Sequence, residues 1–291
     1  MQAWLAGWCG ESAHDIKHKS MPAIDLARLR KQAVRLADFF FVPDEFIKHL
    51  HEILDFYVNY TVRKPPANAP GATLQSYRTP SVVVKQIELE LTHLANKDEN
   101  AEAALDLADH LWDEAYLETR ILAAFLLGHI PPQEERLLAR LTAWTQQVHE
   151  VDLRAGLLNS SLARMRKEAP DMFLDLVGEW LRPNRTHLWP NGIQAVISAV
   201  SDPYFTNLPP LLKVVEPIVV AAPSKLQLEI EELILALYKV SPTETSYFLR
   251  QVLITSENPM TIITFRRISP SLPTELKEEV REFIRGKHLL K

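Results

Sequence analysis

The sequence contains very little cysteine and glycine. Cys9 is the only cysteine among 291 residues, so the chain can form neither an internal disulfide bond nor a cysteine-based zinc site. Eight glycines leave little material for a glycine-rich phosphate loop. No apolar run approaches the roughly 18 residues that a transmembrane helix needs, and the N-terminus lacks the basic start and apolar core of a signal peptide. These absences predict a cytoplasmic protein with no cofactor, no metal ion and no membrane contact.

An excess of basic residues is also missing. The chain has 32 lysines and arginines against 37 acidic residues, which gives a formal net charge of −5. Dedicated nucleic-acid-binding proteins are usually basic, because the neutralisation of phosphates drives their affinity. The overall charge therefore argues against nucleic-acid binding, although a local basic stripe on an acidic body is compatible with it.

Apolar residues recur with helical spacing along almost the whole chain, most clearly in residues 103–132. One apolar stripe includes Ala104 and Leu111, and a second runs from Leu117 to Phe125 before Gly128 and two prolines end it. Each predicted helix has one apolar face. A hairpin of two such helices cannot bury both faces alone, so it must stack on similar neighbours.

Fourteen such helices are predicted, including one over residues 150–167. Nine of the 20 prolines lie at or near their starts, where the missing N–H costs nothing. The helices form about seven hairpins of about 38 residues, close to the HEAT/armadillo period. This predicts an all-α protein, a curved α-solenoid of HEAT-like hairpins. We expect residues 1–22 to form a loose arm and residues 23–291 a single domain. Residues 63–79 are rich in proline and predict a loop, either a plain surface loop or a binding loop at the solenoid mouth.

Three segments carry a resemblance to a known family. LADHLWDEAYLETRILAAFLLG, LTAWTQQVHEVDLRAGLL and HLWPNGIQAVISAV resemble the DNA alkylation repair family, whose members include the AlkD-like alkylpurine DNA glycosylases. The resemblance covers roughly residues 98–253. It implies a curved solenoid of HEAT-like repeats, duplex DNA on a basic concave face, and cleavage of the N-glycosidic bond of alkylated, positively charged bases.

The family's active site resembles a Trp-x-x-x-Asp motif followed by an arginine and a later tryptophan. By this resemblance Asp152 falls at the catalytic aspartate. Val148 stands where the family has tryptophan, Gly192 stands where it has arginine, and the late tryptophan has no counterpart. One of the four functional residues is therefore matched, which leaves open whether the chain is an enzyme.

Asp152 can be interpreted in two ways. A carboxylate beneath the sugar would stabilise the oxocarbenium-like charge that develops as the base leaves. Alternatively, Asp152 is an acidic residue in the first turn of a helix, where a negative charge favours the helix dipole.

The candidate nucleic-acid-binding residues also have structural alternatives. Trp144 and Trp189 could stack on bases, or they could be core residues, as Trp112 is expected to be. Arg154, Arg182 and Arg185 could contact phosphates, or they could form a solvated surface. The sequence thus supports two functions. The first is a DNA-repair relative that binds alkylated or distorted duplex DNA, with weak or absent glycosylase activity. The second is a non-catalytic scaffold that holds a protein or peptide in its groove.

Overall fold

The computed structural model describes residues 24–58, 74–133, 135–148, 151–203, 205 and 207–289, and within them the chain is all α-helical. The α-helices of this part are α1 (Leu26–Ala37), α2 (Pro43–Phe56), α3 (Ser81–Ala95), α4 (Ala101–Asp113), α5 (Leu117–Leu127), α6 (Glu135–Gln147), α7 (Val151–Ser161), α8 (Ala163–Glu168), α9 (Pro170–Trp180), α10 (Trp189–Val200), α11 (Leu208–Ala221), α12 (Gln227–Val240), α13 (Pro242–Thr255), α14 (Pro259–Ile268) and α15 (Thr274–Leu289). None of these helices has the length and apolarity needed to cross a membrane.

The helices are arranged in two rows. In the first row, α1, α3, α5, α7, α10, α12 and α14 contact one another in that order. In the second row, α2 contacts α4. A ring stack and an ion pair join side chains of α4 and α6. After them, α9, α11, α13 and α15 contact one another in that order. Further contacts join the two rows, among them those of α1 with α2, α4 with α5, α10 with α9 and α11, α12 with α13, and α14 with α15. This arrangement fits the predicted α-solenoid, in which each unit packs against its neighbours.

A single apolar core runs between the rows. Leu29, Ile87, Leu122, Ile193 and Ile230, each from a different helix of the first row, are fully buried in it. Because consecutive units share this core, each hairpin buries the apolar face that it could not bury alone.

Several helices begin as the sequence predicts. Pro43, Pro170 and Pro259 occupy the first position of α2, α9 and α14. A proline there has a suitable backbone angle and lacks only an N–H that would have no partner within the helix. The side chain of Asn258 also accepts a hydrogen bond from the backbone N–H of Met260, which caps α14.

The prediction of one helix over residues 150–167 is wrong. The structure has two helices, α7 and α8, and Leu162 lies between them with φ −98° and ψ 4°. Arg166 of α8 turns back and donates from Nη2 to the carbonyl oxygen of Asn159 at 2.9 Å. A side chain thus satisfies a carbonyl of the last turn of α7, and the described residues contain fifteen α-helices rather than fourteen.

Residues 74–79, the part of the predicted loop that the structure describes, bind to the junction of α4 and α5. Gln75 forms an isolated bridge with Tyr116, and its carbonyl accepts from the N–H of Leu117 at 2.8 Å. Glu118, 4% exposed, accepts from the N–H of Arg78 at 2.9 Å. Residues 63–73 of this loop and the predicted arm, residues 1–22, lie outside the described residues.

Candidate functional site

The helix α7 occupies the centre of the first row, between α5 and α10. Asp152 is its second residue, and the position of its carboxylate lies outside the described part of the structure. In helical register, Asp152 shares a face with Gly156 and Asn159, which are both exposed. A Cβ built on Gly156 would meet no described atom within 4 Å beyond its chain neighbours and the nearby backbone of its own helix. The surface of α7 at Gly156 is therefore open.

Val148 and Arg154 lie at the entrance to α7. Val148 is buried, at 1% exposure, and its carbonyl oxygen accepts from Nη2 of Arg154 at 2.9 Å. Arg154 is half-buried. An aliphatic side chain thus packs in the core at the position where the resemblance implies a tryptophan, and this guanidinium holds the backbone that leads into the helix.

Trp144 lies in the interior rather than on the surface. Its ring is 5% exposed and stacks on Trp112, with 4.2 Å between centroids and 2° between planes. Trp112 is buried as predicted, and its Nε1 donates to the side chain of Gln147 at 2.9 Å. This pair joins α4 to α6, so one face of Trp144 is already occupied by protein. A contact of Trp144 with nucleic acid stays a prediction.

Arg182, Arg185 and Trp189 are brought together at the junction of α9 and α10. Both arginines form ion pairs with Glu179, Arg185 at 3.7 Å. Nε1 of Trp189 donates to the carbonyl oxygen of Arg182 at 3.0 Å, and the ring is half-buried. The two guanidinium groups remain about half exposed (58% and 47% for the side chains). They could therefore meet an anion, in competition with one carboxylate.

Gly192 points into the protein. A Cβ at this position would lie 2.5 Å from Cδ2 of Leu181, the residue that follows α9. A larger side chain here must displace Leu181 before it can reach any surface. The position that the resemblance assigns to an arginine is thus closed by core packing.

Gln194 is a feature that the sequence analysis missed. It is 4% exposed, and its Nε2 has no hydrogen-bond partner among protein atoms. A buried donor without a partner costs about 1–3 kcal/mol, and such groups in native proteins call for an explanation. The signal in the sequence was a glutamine within the mostly apolar segment IQAVISAV.

Two arginines near this region are structural. Arg164 pairs with Asp98 and Glu168, both at 2.8 Å. Arg166 pairs with Asp202 at 3.0 Å, and its side chain is only 4% exposed. Burial lowers the pKa of Arg166, and the hydrogen bond to Asp202 opposes this shift. Both side chains hold helices together and contribute little to a basic surface.

Charge is distributed unevenly between the rows. The first helix of the first row, α1, carries four basic residues and no acidic one. In the second row, α2, α4 and α9 together carry eleven acidic residues and one basic residue, Lys48. The first row therefore offers the less acidic face to a polyanion, although the chain as a whole is acidic.

A comparison with models of known protein families matches residues 81–266 to the DNA alkylation repair enzyme family. The chain belongs to this family. The match covers almost two thirds of the sequence and begins at α3, so α1 and α2 lie outside it. No curated protein and no solved structure matches the chain.

Membership in the DNA alkylation repair enzyme family supports a DNA-repair-like function. All of the sequence-predicted site residues lie inside the matched range: Trp144, Asp152, Arg154, Arg182, Arg185 and Trp189. The geometry separates them: Asp152 and Arg154 lie at the start of α7, Arg182, Arg185 and Trp189 lie at the junction of α9 and α10, and Trp144 lies on α6, stacked on Trp112.

Proposed function

We propose that this protein is a HEAT-like repeat protein that binds alkylated or distorted duplex DNA across its first row of helices. We propose further that its N-glycosylase activity is weak or absent. Family membership supports the DNA-repair context. The arrangement of helices in two rows fits the repeat architecture that such binding requires.

One observation carries the proposal. The helix α7, which bears Asp152, lies at the centre of the first row. Gly156 follows Asp152 by four residues on the same helical face, and the surface at Gly156 is open. Because glycine has no side chain, a sugar-phosphate backbone can approach the helix closely here. The basic residues of α1 lie in the same row and supply positive charge for phosphates.

The chemistry would depend on Asp152 alone. A carboxylate at this position would stabilise positive charge on the sugar as an alkylated base departs. Aromatic faces favour a cationic base, yet Val148 is aliphatic and buried, and Gly192 supplies no cation. The loss of these partners is the reason to expect slow base release or none.

The test measures the release of alkylated purines from methylated duplex DNA, together with DNA affinity at several salt concentrations. We expect salt-sensitive binding, and base release at no more than a low rate. Asp152→Asn should abolish any release while binding persists. Asp171→Asn, an exposed acidic residue of α9, is the matched control and should leave both unchanged. Absence of both release and salt-sensitive binding would refute the proposal.

The second candidate is a non-catalytic scaffold that binds a protein or peptide. The ion pairs favour it, because Arg182 and Arg185 share Glu179, and Arg140 pairs with Asp109. Guanidinium groups that already have acidic partners gain less from phosphate. A protein that binds no DNA at any salt concentration, with a folded circular dichroism spectrum, would favour this scaffold.

A further inference from the structure

A cavity with a volume of about 270 Å³ lies between α3 and α5, which are neighbours in the first row. Residues of the segment 76–81, which leads into α3, form part of its wall. Typical ligand pockets have volumes of about 300–1,000 Å³, and an apolar cavity of about 150 Å³ is large enough for benzene. The cavity can therefore hold a molecule with one aromatic ring and one small polar group.

One part of the cavity wall is apolar. Val84 of α3 lines it and is buried, at 6% exposure. Leu117 and Ile121 of α5 also line it, and both are half-buried and pack against the core. These two residues are four apart, so they lie on the same side of α5. The three side chains form an apolar surface that a ligand with an apolar body would remove from water.

Two cations line the same cavity. Lys85 follows Ser81 by four residues on α3, so both lie on one side of the helix, and both are exposed. Arg78 lies in the segment that leads into α3 and is half-buried. A guanidinium group binds a carboxylate through two parallel hydrogen bonds, whereas an ammonium group acts as a point charge. The cavity thus combines an apolar surface with positive charge, and this combination complements an apolar anion.

The backbone of Arg78 has an unusual conformation. Its φ of 57° lies in the left-handed region, which favours glycine and is costly for a residue with a Cβ atom. Its N–H donates to Oε1 of Glu118 at 2.9 Å and also lies 3.0 Å from Oγ of Ser76. Strained residues of this kind cluster at ligand sites. An arginine in place of glycine at this position indicates that the side chain, which lines the cavity, has a role.

Two carboxylates also line the cavity, and neither opposes an anion with its full charge. Glu118 accepts three hydrogen bonds from the segment 76–78, the shortest from Oγ of Ser76 at 2.8 Å. These donors offset much of its negative charge. Burial raises the pKa of Glu88, which favours its neutral form, and Lys85 opposes this shift. The balance of charge in the cavity therefore suits a ligand with one negative charge rather than two.

We propose that this cavity binds a small organic carboxylate whose apolar body has about the size of a single aromatic ring. The ring lies against Val84, Leu117 and Ile121. The carboxylate is held by Arg78 and Lys85. Apolar contacts thus supply most of the affinity, and the two cations select an anion over a neutral molecule of the same shape. This site goes beyond the proposed binding of DNA and does not depend on it.

The experiment is methyl NMR of the full-length protein, labelled at the methyl groups of isoleucine, leucine and valine and titrated with benzoate. We expect saturable shifts at the methyl groups of Val84, Leu117 and Ile121. Benzyl alcohol has the same ring without the charge, and it should bind at least about threefold more weakly because it gains no attraction from the cations. Shifts that are absent, spread over the surface or largest elsewhere would overturn the proposal, and so would equal affinity for the two probes.

Variants separate the two parts of the site. Lys85→Gln should weaken benzoate binding by about two- to fivefold, the effect of one exposed ion pair, and leave benzyl alcohol binding unchanged. Lys239→Gln, at an exposed lysine of α12, is the control and should change neither.

Ile121→Trp fills the cavity and should abolish the shifts of Val84 and Leu117 with both probes. Ile263→Trp, at an exposed isoleucine of α14 (47%), should leave them unchanged. Unchanged benzoate affinity in Lys85→Gln, or normal binding by a folded Ile121→Trp protein, would overturn the proposal. No DNA is present in these titrations, so their outcome is separate from that of the DNA-binding test.

Discussion

Gly128 lies at the C-terminal end of α5, against the last turn of α7. A Cβ built there would lie 2.1 Å from the carbonyl oxygen of Ser160. Its φ of −66° is an ordinary helical value, so glycine is required for space and not for backbone freedom. Gly156 is the opposite case, since a Cβ there would contact nothing within 4 Å.

We therefore expect the same substitution to have opposite effects at the two glycines. Gly128→Ala should lower the free energy of unfolding by about 1–3 kcal/mol, because the backbone of α7 must move away. Gly156→Ala should raise it by about 0.5–1 kcal/mol through better helix propensity. Urea denaturation at constant m-value measures both. A Gly128→Ala protein as stable as the parent would contradict the close approach.

Part of the site could be predicted at the level of single residues. The burial of Trp112 followed from its place on an apolar helix face and is confirmed. The stacking of Trp112 on Trp144 could not be predicted, because the two rings belong to different helices whose relative position depends on the whole stack. The same holds for Gly192, whose contact with Leu181 appears only when α9 packs on α10.

At the scale of helices, the pKa values of two histidines near the ends of α4 and α5 are shifted in opposite directions. Burial lowers the pKa of His129, and the nearby Arg164 lowers it further, although a hydrogen bond to the carbonyl of Phe125 opposes this shift. The pKa of His110 is raised, chiefly by its hydrogen bond to the carbonyl of Asp106.

These shifts predict how stability changes below the ordinary histidine pKa of about 6.5. As pH falls through that value, the unfolded chain takes up a proton at His129 before the folded one does, so stability falls. At His110 the folded chain binds the proton first, so this residue adds stability at low pH. His129→Gln should therefore reduce the loss of stability between about pH 7.5 and 5.5, and His110→Gln should increase it. Urea unfolding at a series of pH values measures this, and equal slopes for both variants would contradict it.

The sequence predicts individual helices well where it contains clear stop signals. The predicted and observed bounds of α5 agree at Leu117–Leu127, because an apolar stripe restarts at the first residue and Gly128 and two prolines follow the last. The break between α7 and α8 has no such signal. Neither proline nor glycine lies near Leu162, and the break depends on Arg166, which binds carbonyls of α7 and the carboxylate of Asp202 from a later loop.

At the scale of the whole molecule, the helices at the centre of the stack have neighbours on both sides, whereas α1 has a described neighbour in its row on one side only. Because each unit of a stack is stabilised mainly by its neighbours, local opening should cost least at the ends. We expect native-state hydrogen exchange to be slowest in α5, α7 and α10 and faster in α1, α2 and α15. Mass spectrometry of peptides after exchange checks this gradient, and uniform protection along the stack would contradict it.

The short helix α8 has a consequence for how this chain can be divided. Six of the units in the described residues contain two helices, but α7, α8 and α9 together form one unit of three, which returns the chain to the correct row for α10. Arg164 and Arg166 tie α8 to an earlier and a later unit, through Asp98 between α3 and α4 and Asp202 between α10 and α11. Any duplication, deletion or exchange of units must therefore carry residues 151–180 as one block. A junction at Leu162 would separate α7 from α8 and α9, so the helices that follow would enter the wrong row.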